Sequence, residues 1–504
     1  MTRLYIILIM ACCAQLGLDV QAHGGLRPRG DVNCDWKVSI DDVTDLIAML
    51  LTGVEYHSLY TYAADVNSDK SISIEDVTCL IGGLLGGDLP PMPSYSGTLP
   101  VLFVNTENCK DIVSKEIYMR ADWWLDAMGI EGYSSIGAPD HPQQMQIKGR
   151  GNATWSNLDK KSYRLKLDKE QAMLGMKSNR HWTLQAQALD WMGQMADALP
   201  FEIGRRMGMA WNPHMEPVEV VLNGQYIGLY FLTEKVRVDA DRVNIIEQRD
   251  NEVNSLLVTG GWLLEIDNYG EPQSIRVIEG NGQSFNVTSH SPDVLSDVQR
   301  DYISSFLQAA DAAIYCSNKL SRDWERYIDI DALAIYYVVQ EAVDNPEAFS
   351  GSCYMSKERG ADTKLVFGPL WDCGSSFVRY NKDYPFNEFI YENMPSYCQS
   401  RWIREIVKFP RFQMKVQIYW RQFYNQVYPA MEAYMDAFAD KVEVAGNYDH
   451  LRWPKYHGNN TIYRLNRYTK KCFQKKVAWL QSQWGPGAGI DTTAHEVQPA
   501  GGLY

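Results

Sequence analysis

Residues 218–236 read VEVVLNGQYIGLYFLTEKV, and this stretch indicates the fold class most directly. Its two halves are rich in β-branched and aromatic residues, which favour strands. Asn223 and Gly224 stand between the halves, and this dipeptide is typical of a two-residue turn with positive φ at both positions. The stretch therefore predicts a β-hairpin.

The rest of the chain from about residue 99 mixes strand and helix patterns. Alternating or continuous apolar runs predict strands at 101–106, 162–168, 260–269 and 364–372. Helices are predicted at 195–208 and 329–344, the second ending before an Asn-Pro pair, and the pattern after about residue 400 is helical. Strands early and helices late predict an α+β fold.

Two stretches near the start repeat one pattern, DVNCDWKVSIDDVTDLIAMLL from residue 31 and DVNSDKSISIEDVTCLIGGLL from residue 65. Each has oxygen-bearing side chains at positions one, three, five, nine and twelve of a loop, the spacing that supplies ligands to Ca²⁺. An amphipathic helix follows each loop, so two copies can bury their apolar stripes together. The predicted calcium ligands are Asp31, Asn33, Asp35, Ser39 and Asp42 in the first loop and Asp65, Asn67, Asp69, Ser73 and Asp76 in the second.

Over residues 28–88 this repeat resembles the type I dockerin family. The resemblance implies a small all-α module of duplicated loop–helix units, Ca²⁺ in both loops and a cohesin-like partner. The chain departs from the pattern at the sixth loop position, where Gly is usual because the backbone turns there with positive φ. Trp36 and Lys70 occupy that position here.

The charge of the chain argues against a nucleic-acid partner. The 62 acidic residues outnumber the 48 Lys and Arg, which gives a formal net charge of −14. A surface of this sign repels a polyanion. No apolar run beyond the N-terminal segment reaches the length of a membrane span, so no transmembrane helix is predicted.

Residues 1–22, MTRLYIILIMACCAQLGLDVQA, have the pattern of a secretory signal: an Arg, an apolar stretch and small residues at the end. A second interpretation stays open, because IMAC ending at Cys12 resembles a lipoprotein signal. Both predict a secreted or cell-surface protein. The remaining predicted segments are a linker at 89–98, a large domain at 99–485 and an irregular tail at 486–504.

The large domain combines basic residues early with acidic residues late. The acidic ones occur in QEAVDNPEAFSGSCYM and GPLWD. Phosphoryl transfer needs both kinds, since cations hold the phosphates while carboxylates hold a divalent metal and orient the acceptor hydroxyl. The early basic residues are Lys148, Arg150, Lys160, Lys161, Arg164 and Lys166.

Many segments of the large domain together resemble the CotH kinase family. In order along residues 99–380 they include LPVLFVNT, RGNATW, KKSYRLKL, HWTLQAQALD, EIGRRMG, WLLEID, QEAVDNPEAFSGSCYM and FGPLWD. The resemblance implies a distant relative of the protein kinase fold. It also implies an atypical, secreted-pathway kinase that uses ATP and a divalent metal to phosphorylate Ser or Thr of a protein substrate.

Carried onto this chain, the resemblance assigns two catalytic residues. Asp372, expected at a strand end, matches the metal-binding Asp, and Glu347 stands where the family usually has a catalytic Asp. Gly374 replaces the second acid of the family's WDxD motif. The nucleotide-site residues implied are Lys166 or else Lys161 for phosphate, Glu202 as the partner of that Lys, and Arg150, Asn152 and Glu234 nearby.

Residue chemistry alone leaves structural alternatives open. Asp372 could cap a turn, since Asp favours turns, and Glu347 could be a solvated loop acid. Lys161 and Lys166 could form the solvent-exposed face of a strand. Two functions therefore stand side by side: a metal-dependent protein kinase placed by a calcium module, and a catalytically inactive scaffold or adhesion protein of a cell-surface or polysaccharide-degrading assembly.

Overall fold

A computed structural model of the chain describes the residues 28–33, 35, 37–52, 63–67, 69, 71–89, 94–187, 193–270, 274–377, 386–392, 394–395, 400–453 and 462–487. The predicted signal segment, Cys12, both residues at the sixth loop position, residues 90–93 of the predicted linker and most of the predicted tail lie outside these residues. The chain forms two compact units. The first comprises Met1–Ala188, Glu216–Glu234 and Lys441–Asn459, and the second comprises Leu189–Met215, Lys235–Asp440 and Asn460–Tyr504.

The N-terminal repeat forms two loop–helix units, with helices α1 (Ile40–Thr52) and α2 (Ile74–Leu84). Their apolar stripes share one small core, as the duplicated pattern predicts. Ser73 caps α2: its hydroxyl accepts from the amide of Glu75, and Asp76 completes a capping box. The residues of this core include Val43, Leu46, Val77, Leu80 and Leu84.

A closed β-barrel follows the repeat in the first unit. Its strands are adjacent in the order β1-β2-β3-β4-β5-β7-β6, and β6 runs parallel to β1 to close the barrel. Alternate residues of each strand fill the interior, so the predicted strand at 162–168 has its apolar residues inside and its cations outside. The strands are β1 (Val101–Thr106), β2 (Met119–Asp126), β3 (Gln143–Arg150), β4 (Ser162–Gln171), β5 (Asn179–Gln185), β6 (Met215–Leu222) and β7 (Gln225–Glu234), with helix α3 (Ala153–Asn157) between β3 and β4.

The hairpin predicted from residues 218–236 joins β6 to β7. Asn223 has φ 51° and Gly224 has φ 77°, the pair of positive values that this turn requires. The side chain of Asn223 also accepts from the amide of Thr106 at 2.7 Å and donates to its hydroxyl at 2.9 Å. The turn is thus attached to the end of β1, beside the strand that closes the barrel.

Lys160 differs from the other early cations because it is buried inside the first unit. Its Nζ lies 2.8 Å from Asp449, and both side chains are only 1% exposed. Nζ also donates to the carbonyl oxygen of Leu229 at 2.7 Å, while the amide of Leu229 donates to Asp449 at 2.9 Å. Lys160 is therefore a structural residue of this unit.

The second unit contains a five-stranded sheet in the order β12-β11-β8-β10-β9. All of its neighbouring strands are antiparallel. The predicted strand at 260–269 forms its central strand, whose residues are almost all buried. The strands are β8 (Trp262–Asp267), β9 (Ile275–Ile278), β10 (Ser284–Ser291), β11 (Cys353–Lys357) and β12 (Val366–Phe367).

Helices contain more residues than strands in the described part of the second unit, as predicted for the later part of the chain. The predicted helix at 329–344 forms α6, with Asp329 as its N-cap, and it is buried on nearly all sides. It packs against β12 and against α4, α8 and α10. The helices are α4 (Ala198–Arg206), α5 (Asp297–Ile314), α6 (Ile330–Ala342), α7 (Trp402–Ile406), α8 (Pro410–Gln422), α9 (Tyr428–Arg452), whose residues from 441 belong to the first unit, and α10 (Ile462–Trp484).

The strand predicted at 364–372 is wrong in length, because β12 spans only Val366–Phe367. Pro369 has no amide hydrogen, and the amide of Leu370 donates to the side chain of Asn212 at 2.8 Å instead of to a neighbouring strand. The chain therefore leaves the sheet early. None of the described helices combines the length and apolar character that crossing a membrane requires.

We expect Lys160→Met to lower the free energy of unfolding by about 3–5 kcal/mol, because it leaves the Asp449 carboxylate buried without its cation. Chemical denaturation measures this difference. Arg120→Met is the matched control, since it breaks an exposed ion pair with Asp168 and should change stability little. Equal effects of the two variants would contradict a structural role for Lys160.

Candidate functional site

Two loops of the second unit carry the predicted catalytic carboxylates. The Glu347 loop (343–352) leads into β11, and the Asp372 loop (368–377) follows β12. Because β11 and β12 are antiparallel, with Met355 opposite Phe367, both loops lie at the same end of this strand pair. The amide of Gly368 donates to the carbonyl of Tyr354 at 2.9 Å and fixes the start of the second loop.

Asn345 shapes the Glu347 loop from within. Its Nδ2 donates to the side-chain oxygen of Gln340 at 3.0 Å, and its Oδ1 accepts from the amide of Glu347 at 3.2 Å. The amides of Ser350 and Gly351 both donate to the carbonyl of Glu347. Glu347 is half-buried in a hydrogen-bonded turn, a more constrained setting than a freely solvated loop acid.

Asp372 is exposed at the tip of a loop whose neighbouring residues are buried. Its φ is 51°, in the left-handed region. The amide of Cys373 donates to Oδ1 of Asp197 at 2.6 Å, and the Trp371 ring stacks on Phe201 with 6.2 Å between centroids. With Leu370 bonded to Asn212, the backbone is fixed on both sides of Asp372. This loop position corrects the expectation that Asp372 lies at a strand end, because β12 ends at Phe367.

One hydrogen bond joins the two loops directly. The amide of Phe377, at the end of the Asp372 loop, donates to the carbonyl of Asp344 at 3.2 Å. The Cys373 thiol is surrounded by the same elements: burial raises its pKa well above the ordinary value, and the carboxylates of Asp197 and Asp372 raise it further. The thiol therefore stays protonated beside the candidate site.

Gly374 is the position at which the resemblance calls for a second acid. It is exposed, and a Cβ there would lie 3.8 Å from Oδ1 of Asp372, an ordinary contact distance. A side chain at this position would thus be directed to the neighbourhood of Asp372. The second acid that the resemblance implies after Asp372 is therefore replaced by a glycine in this chain.

The predicted phosphate-binding cations lie in the first unit. Lys166 is on the outer face of β4, and Arg150 ends β3 opposite Ser162. The Lys161 ammonium lies 5.3 Å from the centroid of the Trp155 ring and donates to the carbonyl of that residue. Lys166 and Arg150 lie on two neighbouring strands, β4 and β3. This position is compatible both with a phosphate-binding site and with a solvent-exposed face of the sheet.

Asn152, Glu234 and Glu202 have different surroundings. Asn152 precedes α3, and its Oδ1 accepts from Lys115 at 2.8 Å. Glu234 ends β7 and is 2% exposed. Glu202 belongs to the second unit and binds two arginines of its own helix, Arg205 at 2.5 Å and Arg206 at 2.6 Å. Burial opposes ionisation of Glu202, but the two arginines outweigh it and lower its pKa.

The repeat loops are closed by the carboxylates at their twelfth positions. Asp42 accepts from the amides of Val32 and Asn33 through Oδ1 and from Ser39 through Oδ2, at 2.7–3.0 Å. Asp76 accepts in the same way from Asn67 and Ser73. Burial raises the pKa of Asp42, while these amides oppose the rise.

Acidic side chains are buried in both repeat loops. Asp31, Asp42 and Asp76 have no solvent exposure. A buried carboxylate favours a nearby cation, so the donor set fits Ca²⁺. Within the described ranges, no three His, Cys, Asp or Glu side chains were found grouped as a metal site; loop ligands also include Asn, Ser and carbonyl oxygens.

Four supporting residues of the site were missed in the sequence. Asp197 and Asn212 are far in sequence from the Asp372 loop. Their neighbouring residues form no pattern that predicts a hydrogen bond to that loop. Lys476, whose ammonium lies 2.9 Å from Oδ1 of Asp344 in the Glu347 loop, is one of several Lys and Arg residues on α10 and has no distinguishing local pattern. Of these four residues, only Gln340 could have been identified from the sequence. A polar residue near the end of a mostly apolar helix is unusual and indicates a specific hydrogen bond.

We expect Asp197→Ala to lower the free energy of unfolding by about 1–3 kcal/mol, because it leaves the buried amide of Cys373 without an acceptor. Asp197→Asn keeps an acceptor oxygen at the same place and should lower the free energy of unfolding by less than Asp197→Ala does. Chemical denaturation of both variants measures the difference. If both variants lower the free energy of unfolding equally, the loop requires the negative charge of Asp197 and not the hydrogen bond.

Comparison with known proteins identifies a family for the larger part of the chain. A family model described as CotH kinase protein matches residues 147–482, about two-thirds of the chain, and includes both candidate loops. The N-terminal repeat lies outside the matched residues. No curated protein sequence matches the chain. Because the family model covers well over half of its length, the chain belongs to the CotH kinase family.

Proposed function

We propose that the chain is an atypical protein kinase that transfers phosphate from ATP to Ser or Thr of an exported or surface protein. The observation that carries this proposal is the position of Asp372, exposed between two buried residues whose loop is hydrogen-bonded to Asn212 and Asp197. A rigid backbone that presents one carboxylate is what a metal–nucleotide site needs. Membership of the family supports the same reaction.

The residues around Asp372 fit a divalent metal delivered with a nucleotide. Mg²⁺ is commonly held by one or two carboxylates together with substrate phosphates, so a single exposed Asp is compatible with it. The metal would neutralise charge on the transferred phosphoryl group. Asp372 would provide its protein ligand, and the fixed loop would hold the carboxylate ready before the nucleotide arrives.

Glu347 would take the proton of the acceptor hydroxyl. In the transfer, a bond forms between the hydroxyl oxygen and the γ-phosphorus, and the bond to the bridging oxygen of ADP breaks. Phosphoryl transfer depends mostly on position and charge, so Glu in place of Asp is compatible with the reaction. The nucleotide contacts of Lys166, Lys161, Arg150, Asn152, Glu202 and Glu234 stay predictions.

A second function is favoured by one observation, the absence of a side chain at Gly374. If the site needs two acids, the chain would be a catalytically inactive scaffold or adhesion protein in a cell-surface or polysaccharide-degrading assembly. Gly374→Asp allows a direct test, because a Cβ at this position meets no atom closer than Oδ1 of Asp372 at 3.8 Å.

We expect Asp372→Ala to reduce phosphate transfer from labelled ATP, to the chain itself or to a mixture of secreted proteins, by about 100-fold or more. Asp362→Ala, an exposed acid between β11 and β12, is the matched control and should retain activity. Gly374→Asp should raise the rate, because it adds a second metal ligand. Transfer that appears only in Gly374→Asp would establish the scaffold function for the natural chain.

The repeat module is proposed to bind Ca²⁺ and to place the kinase. Support comes from the ligand spacing and from the buried acids of both loops. A cohesin-like protein is the proposed partner of the module. The pattern of residues 1–22 supports a secreted or cell-surface location, with lipid attachment at Cys12 as the alternative to a cleaved signal.

Removal of calcium should destabilise the repeat, because a bound ion stabilises by about 2.7 kcal/mol at one hundred times its Kd. Titration calorimetry should show two sites in the full chain, reduced to one by either Asp31→Ala or Asp65→Ala. The controls Asp41→Ala and Glu75→Ala change exposed acids at the eleventh loop positions and should keep both sites. Absence of calcium binding in the unaltered chain would refute the proposal.

A further inference from the structure

Three charged side chains without any solvent exposure meet where the Glu347 loop begins. Nζ of Lys476, on α10, lies 3.1 Å from Oε2 of Glu341 and 2.9 Å from Oδ1 of Asp344. The same ammonium donates to the carbonyl oxygen of Glu388 at 2.6 Å. Glu341, the second-to-last residue of α6, also accepts from the amide of Ile390 at 2.9 Å.

Burying these three charged side chains costs free energy. Burying each charge costs several kcal/mol, and one ammonium does not balance two carboxylates. Burial raises the pKa of Glu341, although Lys476 opposes the rise. Apolar side chains of similar size would stabilise the same place at less cost, so the group is better explained by the geometry it imposes.

Asp344 connects this buried group of charges to the two loops of the candidate site. It has φ 50°, so it turns the chain out of α6. Its amide donates to the carbonyl of Glu341, its carboxylate binds Lys476, and its carbonyl accepts from Phe377. Asn345 and Glu347 follow immediately. The orientation of this one residue therefore affects both loops.

We infer that Lys476 is a positioning residue that holds Asp344 and thereby sets the Glu347 loop and, through Phe377, the Asp372 loop. The C-terminal helix α10 thus supports two loops that lie about a hundred residues earlier in the sequence. The catalytic consequence rests on the proposed kinase function, whereas the effect on the loops rests on the contacts alone.

Asp344→Asn and Glu341→Gln form a matched pair for the test. Each removes one carboxylate charge from Lys476, but only the first releases the loop, and Asn tolerates positive φ as well as Asp does. In Asp344→Asn we expect kcat to fall about 10- to 100-fold with little change in KM for ATP, because reacting groups lose their alignment. Glu341→Gln keeps the bond from Lys476 to Asp344 and should keep kcat.

Hydrogen exchange followed by mass spectrometry provides the readout that does not require activity. Asp344→Asn should speed exchange in residues 343–352 and 374–377, and Glu341→Gln should leave both segments protected. Equal exchange in the two variants would overturn the inference even if the chain is an active kinase. If the unaltered chain transfers no phosphate, the kinase proposal fails, and exchange alone decides whether Lys476 positions the loops.

Discussion

The hydrogen bond from the amide of Phe377 to the carbonyl of Asp344 joins the two loops on which the site depends. Each loop is also fixed separately, one by Asn345 and Lys476 and the other by Asn212 and Asp197. The shared bond links these two sets of contacts. With it, the carboxylates of Glu347 and Asp372 belong to one connected network of backbone and side-chain contacts.

Local signals in the sequence predicted much of the fold. The Asn223-Gly224 turn, the alternation around Lys166 and the apolar helix α6 each follow from a few neighbouring residues, because turn geometry and side-chain period are local properties. The duplicated loop–helix pattern correctly predicted two helices with a common core. What this repeat binds stays a prediction, since spacing indicates a ligand set but not an affinity.

The sequence could not show which charged residues meet. Lys160 and Lys161 are adjacent and chemically alike, yet Lys160 is buried against Asp449 and Lys161 lies on the ring of Trp155. Asp197 is 176 residues from Cys373 along the chain, and Lys476 is more than a hundred residues from the carboxylates of Glu341 and Asp344. Such pairs depend on how distant segments pack, and a single sequence contains no local pattern that identifies them. The short β12 has a similar origin, because the amide of Leu370 is bonded to Asn212.

We propose that Asp372, one exposed carboxylate on a fixed loop, binds a metal–nucleotide complex. Calorimetric titration of Mg²⁺ with a non-hydrolysable ATP analogue into the full chain, and into Asp372→Ala, tests it most directly. The account predicts binding by the unaltered chain that requires the metal and is lost, or weakened at least about tenfold, in the variant. Binding that is equally strong in both proteins, or no binding to the unaltered chain, would contradict it.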